Sequence, residues 1–302
     1  MGSRGPPWLG GRERAKPFRI NPRDERIATT EMGLNSMTKM FFANTALALL
    51  LSAPLTPALA DAEALKSGLA AIDKQDFKTA MQTFDKAFKG GDADAGFYLG
   101  RMAELGLGVT SNPGAAAILY KGAAEKGSAK ALNRIGLMHY RGEAGVLQDY
   151  EAARTDLCKA ADLGEKDAMF NCAEIYEDGS HAEKKPDLAL KYYQKAADAG
   201  HIGALNVLGL LYRDGKDVPK DAAKSRGYFE KSAAKGNPVG LYELGELAEA
   251  DKNLAKAHIY YNLASARNHP RAPAALQRVS AALSLADVAK AQTEARTWKA
   301  VP

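Results

Sequence analysis

The sequence of 302 residues has few of the side chains on which catalytic and metal sites depend. It contains two cysteines and five histidines, and no two histidines stand at the spacing of a zinc-binding motif. A nucleophile elbow, a P-loop and a dinucleotide-binding glycine fingerprint are also missing from the sequence. The residues therefore predict no catalytic group, no cofactor and no metal, and they favour a non-enzymatic protein.

Long apolar runs are scarce as well. The run Phe41–Leu55 has about fifteen residues, which is too short for a comfortable membrane span. Ala58 and Ala60 follow it and place small residues at the −3 and −1 positions of a secretory cleavage site. We therefore predict a cleavable signal peptide at 37–60, cut after Ala60, and a disordered or unused N-terminal extension at 1–36. The alternative is that the run forms a buried core helix.

The part of the chain that would remain after cleavage has nearly equal numbers of basic and acidic residues. The full chain has 41 basic and 36 acidic residues, but residues 1–60 hold eight of the basic and four of the acidic ones. The remainder carries 33 basic and 32 acidic residues, so it has no general basic character. Nucleic-acid binding is not predicted, because it requires a basic patch or stripe on the folded domain.

What the chain has in abundance is internal repetition. Ala95, Ala131, Ala168, Ala204 and Gly240 begin successive units that are 36, 37, 36 and 36 residues apart. A fixed period in this range marks an array of stacked structural repeats. Apolar and small residues recur at helical spacing in both halves of each unit, so each unit is predicted to be a pair of helices.

Small residues occupy equivalent positions in these units. Glycine inside a helix costs about 1 kcal/mol relative to alanine, so a small residue kept in one register predicts close approach of a second helix. A glycine or asparagine that closes each unit predicts a left-handed cap. A further position holds Tyr176 and Tyr212 but His139 in the second unit, and we predict that His139 packs in the core. The small residues are Gly100, Gly136, Ala173, Gly209 and Gly245, and the closing residues are Gly127, Gly164, Gly200, Gly236 and Asn268.

The repeated motif resembles that of the Sel1-like repeat family, a relative of the tetratricopeptide repeat. The family's opening A-x3-LG-x2-Y-x2-G stands at 204–215, and its closing YxKAAxxG stands at 193–200. The resemblance covers five units at 95–268. The fifth unit departs from the pattern, because it is four residues shorter between its helices and has Asp251 where glycine is usual.

The resemblance implies an all-α fold, an α/α solenoid that winds as a right-handed superhelix. The segment 61–94 is predicted to be a tetratricopeptide-like capping pair of helices, and 269–302 to contribute the C-terminal capping helices. Within the latter, Ala272–Leu285 and Asp287–Lys299 are expected to form a last pair, with Asp287 as the N-cap. A terminal pair presents a polar outer face, so degenerate sequence is expected there.

The two cysteines fall on neighbouring helices of this plan. Cys158 lies on the second helix of one unit and Cys172 on the first helix of the next. Ala161 and Ala168 flank the turn at Gly164, and each lies about one helical turn from a cysteine, so the thiols occupy facing positions. An oxidising compartment would favour a disulfide, as in cysteine-rich members of the family. The alternative is two reduced, buried thiols.

A binding surface is implied by the tetratricopeptide relatives, in which ligand contacts come from first-helix positions beside the Leu-Gly pair. When these ligand-contact positions are transferred to the equivalent positions of this sequence, they predict a concave groove for an extended peptide, with aromatic and amide side chains in alternating units. The alternative is that these side chains pack against neighbouring first helices. The predicted partner-binding residues are Phe97, Arg101, Asn133, Leu137, Tyr140, Arg141, Phe170, Glu174, Glu177, Asn206, Leu210, Arg213, Tyr242 and Glu246.

The function that follows is a periplasmic or secreted interaction module. We expect it to bind a protein or peptide partner of the cell envelope, without a stable membrane anchor after cleavage, as a scaffold or regulator. Two alternatives stay open. One is a cell-wall or β-lactam-processing hydrolase of the cysteine-rich Sel1-like type, which needs a nucleophile and base that the sequence does not supply. The other is a secreted host-interaction factor, which the leader permits.

Overall fold

The computed structural model describes residues 57–179 and 183–301, with side chains from residue 62 onward. Residues 61–302 form one compact unit. The predicted extension at 1–36 and most of the predicted leader at 37–60 lie outside the described residues. Within the described ranges the chain forms fourteen α-helices and no strand.

The helices follow the predicted pairs. Before the repeats come α1 (Pro57–Asp73) and α2 (Phe77–Gly90). Repeats 1 to 5 are the pairs α3 (Ala93–Leu105) and α4 (Pro113–Glu125), α5 (Ala129–Arg141) and α6 (Tyr150–Asp162), α7 (Lys166–Asp178) and α8 (Pro186–Asp198), α9 (Ile202–Asp214) and α10 (Ala222–Ala234), α11 (Pro238–Ala250) and α12 (Leu254–Ser265). The chain then continues through α13 (Ala272–Ala281) and α14 (Leu285–Thr297).

Each helix from α2 to α12 packs against the next one, which confirms the all-α solenoid. The small residues permit this close packing. A Cβ atom added to Gly209 would lie 2.5 Å from the ring of Phe229, a distance that real side chains do not reach. The buried ring of the second helix therefore lies directly over the backbone of the first helix in the same repeat.

The turns between repeats have the predicted left-handed residue. The φ angles are 98° at Gly127, 97° at Gly164, 81° at Gly200 and 74° at Gly236, and Asn268 has a φ of 60°. Residues with a side chain rarely adopt this conformation, and asparagine is among the more tolerant ones. These residues reverse the chain so that the next first helix packs on the preceding second helix.

The fifth repeat turns without the glycine loop. Asp251 has a φ of −74°, and the left-handed residue is Lys252, with a φ of 60°. Asn253 then caps α12 by accepting a hydrogen bond from the backbone N–H of Lys256 at 3.1 Å. A turn of the same kind joins α1 to α2, where Gln75 has a φ of 60° and Asp76 is the N-cap. The fifth repeat therefore shares its turn with the N-terminal pair.

The C-terminal helices depart from the prediction. Helix α14 packs on α12 and does not form a repeat-like pair with α13. Its buried residues Ala291 and Ala295 supply the small apolar surface for this contact. The N-cap of α14 is Ser284 instead of Asp287, because the Ser284 hydroxyl accepts a hydrogen bond from the Asp287 N–H at 3.1 Å. Beyond the helix, Trp298 lies 4.8 Å from the guanidinium of Arg267.

The predicted cleavage point after Ala60 lies inside α1, so cleavage there would leave 61–73 of this helix. Gly68 of α1 lies directly against the buried ring of Phe84, and this contact lies in the segment that would remain. None of the helices in the described ranges combines the length and the apolar character needed to cross a bilayer.

The predicted cysteine pair is a disulfide in the structure. Cys158 of α6 and Cys172 of α7 are joined at an S–S distance of 2.05 Å, with their Cα atoms 5.0 Å apart. The bond links repeat 2 to repeat 3 and closes a loop with a sequence separation of 14. The register argument from the Gly164 turn is therefore confirmed.

Candidate partner-binding face

The first helices of the five repeats, α3, α5, α7, α9 and α11, carry the surface that we call the inner face. Helix α3 contacts α5, and α5 contacts α7, whereas no contact of that extent joins successive second helices in the described chain. First helices that lie closer together than second helices are expected on the concave side of a solenoid. The predicted partner-binding residues all lie on these first helices.

The aromatic position of repeats 1, 3 and 5 is used for packing inside each repeat. In all three repeats its ring lies near a tyrosine of the second helix, which is almost completely buried. The ring centroids are 5.7 Å apart for Phe97 and Tyr120, 5.6 Å for Phe170 and Tyr193, and 5.4 Å for Tyr242 and Tyr261. Such aromatic pairs contribute about 0.5–1.5 kcal/mol beyond the area that they bury.

The asparagines of repeats 2 and 4 occupy the same position but bond between repeats. Asn133 accepts a hydrogen bond from the side-chain amide of Asn171 at 2.8 Å. Asn206 donates to the Asn237 side chain at 3.1 Å and accepts from the Ser232 hydroxyl at 2.6 Å. The amide groups that were predicted to line a groove thus hold successive repeats together.

Ion pairs of opposite polarity connect the repeats at each end of the array. Glu104 of repeat 1 pairs with Arg134 of repeat 2. Burial acts to raise the pKa of Glu104, but hydrogen bonds from Arg134 and Tyr120 outweigh it and lower the pKa. In repeats 4 and 5 the same two positions hold Arg213 and Glu243, whose side chains are 2.5 Å apart. The first and last repeat junctions thus share a charge pair at the same two positions, with the acid on opposite sides.

The buried second-helix tyrosines donate to glutamates at the end of the first helices. Tyr120 donates to Glu104 at 2.7 Å, and Tyr193 donates to Glu177 at 2.7 Å. Both pairs are separated by 16 residues in the sequence. Sequence reasoning missed Glu104 and these tyrosines, although the recurring Glu–Tyr spacing was a signal that could have found them.

Repeat 5 has a second glutamate in this network. Glu246 accepts hydrogen bonds from the hydroxyls of Tyr242 at 2.7 Å and Tyr261 at 2.9 Å. Tyr261 also lies 2.8 Å from Glu249. Burial, followed by the hydrogen bond to Glu246, raises the pKa of Tyr242 to about 12. The carboxylate of Glu246 is thus satisfied by two hydroxyl groups of its own repeat.

Glu174 occupies the equivalent position in repeat 3 and lacks this arrangement. Phe170 stands where repeat 5 has Tyr242, so the hydroxyl that would reach the carboxyl group is missing. Oxygen Oε2 of Glu174 is buried and has no hydrogen-bond partner among the described residues. Burial, followed by the charges of Glu177 and Asp178, raises the pKa of Glu174 to about 8.

The predicted residues thus divide into three groups. Leu137 and Tyr242 are only 3% and 5% exposed, so the structure removes them from the inner surface. Leu137 is a buried residue of α5, and Tyr242 belongs to the hydrophobic core cluster around α11 and α12. Six further residues make the packing and inter-repeat contacts described above and keep part of their surface, and these are Phe97, Asn133, Phe170, Glu177, Asn206 and Arg213. The remaining residues are the exposed Glu246 and the partly exposed Arg101, Tyr140, Arg141, Glu174 and Leu210.

His139 is not the core residue that the sequence suggested. Its Nδ1 lies 3.0 Å from Oδ2 of Asp156, and 27% of its side chain is exposed. In repeats 3 and 4 the equivalent pairs are stacked tyrosines, so the histidine–aspartate pair replaces a ring stack between the two helices. Among the described residues, no group of three histidine, cysteine or acidic side chains is arranged to hold a metal ion.

Replacing Glu174 with glutamine is expected to stabilise the protein in a pH-dependent way. Because the folded-state pKa is raised, wild-type stability is greatest below the unfolded-state pKa near 4.5 and falls as the pH rises towards about 8. Glutamine removes this loss, so the free energy of unfolding of the variant is expected to exceed that of the wild type by about 2 kcal/mol at high pH. The difference is smaller than for a fully buried charge, because Glu174 is partly exposed. The measurement is urea unfolding at pH 4, 7 and 9 followed by circular dichroism.

Glu246→Gln is the matched control, because it changes the same position where two tyrosines donate to the carboxylate. It is expected to destabilise the protein at neutral pH, since a charge-assisted pair of bonds is weakened. Equal behaviour of the two variants across the pH range would contradict this account of Glu174.

Comparisons with known proteins agree with the repeats seen in the structure. A family model described as the Sel1 repeat matches residues 93–128, 129–165, 166–201, 202–237 and 239–269. A search of the curated proteins finds no match.

Two solved structures share the fold over most of this chain. A Sel1 repeat protein from Oxalobacter formigenes is 24% identical, with 77% of this chain and 98% of that chain covered and a TM-score of 0.66. The protein c5321, a protective antigen present in uropathogenic Escherichia coli strains, is 26% identical, with 78% of this chain covered and a TM-score of 0.64. This chain spans about half of c5321, of which 53% is covered. The chain therefore belongs to the Sel1 repeat family, whose members commonly serve as non-catalytic scaffolds for protein–protein interactions.

Proposed function

We propose that this protein is a scaffold that binds a protein or peptide partner of the cell envelope on its inner face. The observation that carries the proposal is the inner face of first helices, in which α3 contacts α5 and α5 contacts α7, and on which Arg101, Tyr140, Glu174 and Leu210 keep exposed area. Arginine and tyrosine are side chains from which interface hot spots are commonly built.

The internal bonds of this face support the proposal. Because ion pairs and amide pairs already tie successive repeats together, the surface is held in one arrangement before a partner arrives. A preorganised surface loses less conformational entropy on binding than a mobile one. The residues that make these bonds position the surface, and the partly exposed residues beside them are the proposed contacts.

An envelope or extracellular location belongs to the proposal and rests on the sequence of the leader. An oxidising compartment is compatible with the Cys158–Cys172 disulfide, because structural disulfides persist in such compartments. The similarity to c5321, described as a protective antigen, is the observation that favours the alternative of a secreted factor that meets a host.

The test is site-specific photocrosslinking in cells that produce the full chain. A photoreactive residue is placed at Arg101 or Leu210 on the inner face, and at Ile118 or Leu163 as controls, since 75% and 53% of these two residues are exposed. We expect one partner to be captured from both inner positions and from neither control. In the crosslinked product, this protein is expected to begin at Asp61. Capture from the control positions alone would move the binding site off the inner face, and a protein confined to the cytoplasm would exclude the envelope role.

A further inference from the structure

In the part of the chain that the structure describes, the hydrogen-bonded network of the inner face is interrupted in the middle repeat. In repeats 1 and 5 the glutamates of the first helices are paired with tyrosine hydroxyls and arginines. In repeat 3, Glu177 has such partners in Tyr193 and Lys216, each at 2.7 Å. Glu174, one helical turn earlier, has an inaccessible carboxyl oxygen without any partner in the described chain.

Repeat 5 shows what this position needs. Its aromatic pair has nearly the same arrangement, because the rings of Tyr242 and His269 are 4.2 Å apart and those of Phe170 and His201 are 4.4 Å apart. In repeat 5 a hydroxyl of that aromatic residue reaches the glutamate at 2.7 Å. A buried acceptor left without a donor costs about 1–3 kcal/mol, so repeat 3 leaves a donor to be supplied from elsewhere.

The electrostatic surroundings favour a cation as the missing donor. Glu174, Glu177 and Asp178 lie in the last two turns of α7, and the last turn of this helix contains no basic residue. Carboxylates at a helix C-terminus face the negative end of the helix dipole, where a positive charge is favoured. The hydroxyls of Tyr140 on α5 and Tyr193 on α8 also sense the charge of Glu174, and the ammonium group of Lys216 pairs with the neighbouring Glu177.

The flanking positions specify the rest of the ligand. Leu210 of repeat 4 stands at the position equivalent to Glu174, whereas Leu137, its counterpart in repeat 2, is buried. Leu210 keeps part of its surface exposed. A bound segment would thus meet apolar surface beside the carboxyl group, which fits a basic residue with an apolar neighbour.

We propose that the carboxyl group of Glu174 is the recognition point for an arginine or lysine side chain, carried next to an apolar residue on an extended segment of the partner protein. The inference rests on the proposed scaffold function and adds the chemistry of its partner. Arginine suits this position well, because its guanidinium forms charge-assisted pairs of hydrogen bonds with a carboxylate. A cation at this position also favours the ionised form of Glu174.

The test compares two peptides on matched variants of the full chain. The probes are a capped peptide with a central arginine between leucines and its analogue with citrulline, which has nearly the same shape but no charge. Binding is measured by nuclear magnetic resonance titration at neutral pH. For the wild type we expect the arginine peptide to bind at least tenfold more tightly, with shifts on α5, α7 and α9.

Two substitutions separate recognition at Glu174 from general attraction to an acidic face. Glu174→Gln is expected to reduce the arginine preference to less than twofold, whereas Glu246→Gln, at the equivalent position of repeat 5, is expected to retain it. Phe170→Tyr keeps every charge but supplies the internal hydroxyl, so it is expected to lower the preference severalfold. We expect its fold to be intact, because repeat 5 already accommodates tyrosine there.

An unchanged preference in Glu174→Gln, an equal loss in Glu246→Gln, or no binding of either peptide would overturn the inference. Equal binding of both peptides on the inner face would also overturn it, but it would leave the scaffold function standing. The scaffold function is judged separately by the crosslinks from Arg101 and Leu210, which do not depend on these peptides.

Discussion

Replacing Phe229 with alanine is expected to lower the free energy of unfolding by about 3–5 kcal/mol, the largest effect of any single change considered for this protein. The ring is 0% exposed and packs in one cluster with Leu241, Leu244 and Tyr261. Gly209 lies directly beneath it and has no side chain that could move into the vacated space. The cavity would therefore stay open, and its volume adds to the lost burial of the ring.

The measurement is urea unfolding followed by circular dichroism, with hydrogen exchange to locate the effect. Ile118→Ala is the control, because this side chain is 75% exposed and its removal is expected to change stability by less than about 0.5 kcal/mol. In a repeat array each repeat interacts mainly with its neighbours, so protection should fall first in α9 to α12. A uniform loss of protection from α3 onward would contradict this picture of local coupling.

Removal of the disulfide is expected to cost about 3 kcal/mol, the value of the loop-entropy model for a loop of this length. The variant Cys158→Ser with Cys172→Ala avoids a single reactive thiol and places the smaller apolar side chain at the fully buried position. Because the bond joins α6 to α7, its loss should weaken the contact between repeats 2 and 3 more than any other contact.

Chemical reduction of the wild type provides an independent version of the same change. We expect reductant to shift the denaturation midpoint of the wild type towards that of the double variant, and to leave the double variant unaffected. Two free thiols in the intact mass of protein purified without reductant, or equal midpoints for all samples, would count against a structural disulfide.

The repeat architecture could be read from the sequence because its signals are local and recur. The period, the small residues opposite the rings and the left-handed closing residues each follow from helix geometry within about forty residues. The pairing of Cys158 with Cys172 was predictable for the same reason, since the single turn at Gly164 determines which sides of α6 and α7 are in contact. A repeated position also allowed each weak local signal to be checked several times.

The inner face was harder to predict, because its side chains are shared between repeats. Register placed Tyr242 among the groove residues, but it could not show that Arg271 and His269 cover the ring from the following turn. The charge pair of Arg213 and Glu243 joins helices 30 residues apart, and its equivalent in repeats 1 and 2 has the opposite polarity. A pattern that looks for the same residue type at the same position does not detect such a pair.

The sequence by itself determined the repeat number, the helix pairs, the closing turns and the position of the disulfide, because these depend on backbone geometry over short distances. Only the tertiary structure decided that α14 packs on α12, that Leu137 and Tyr242 are buried, and that Glu174 lacks the hydroxyl which its counterpart Glu246 has. The physical reason is that burial and hydrogen bonding depend on which side chains of neighbouring repeats meet. That pairing is a property of the stacked array, and it is not contained in any single repeat.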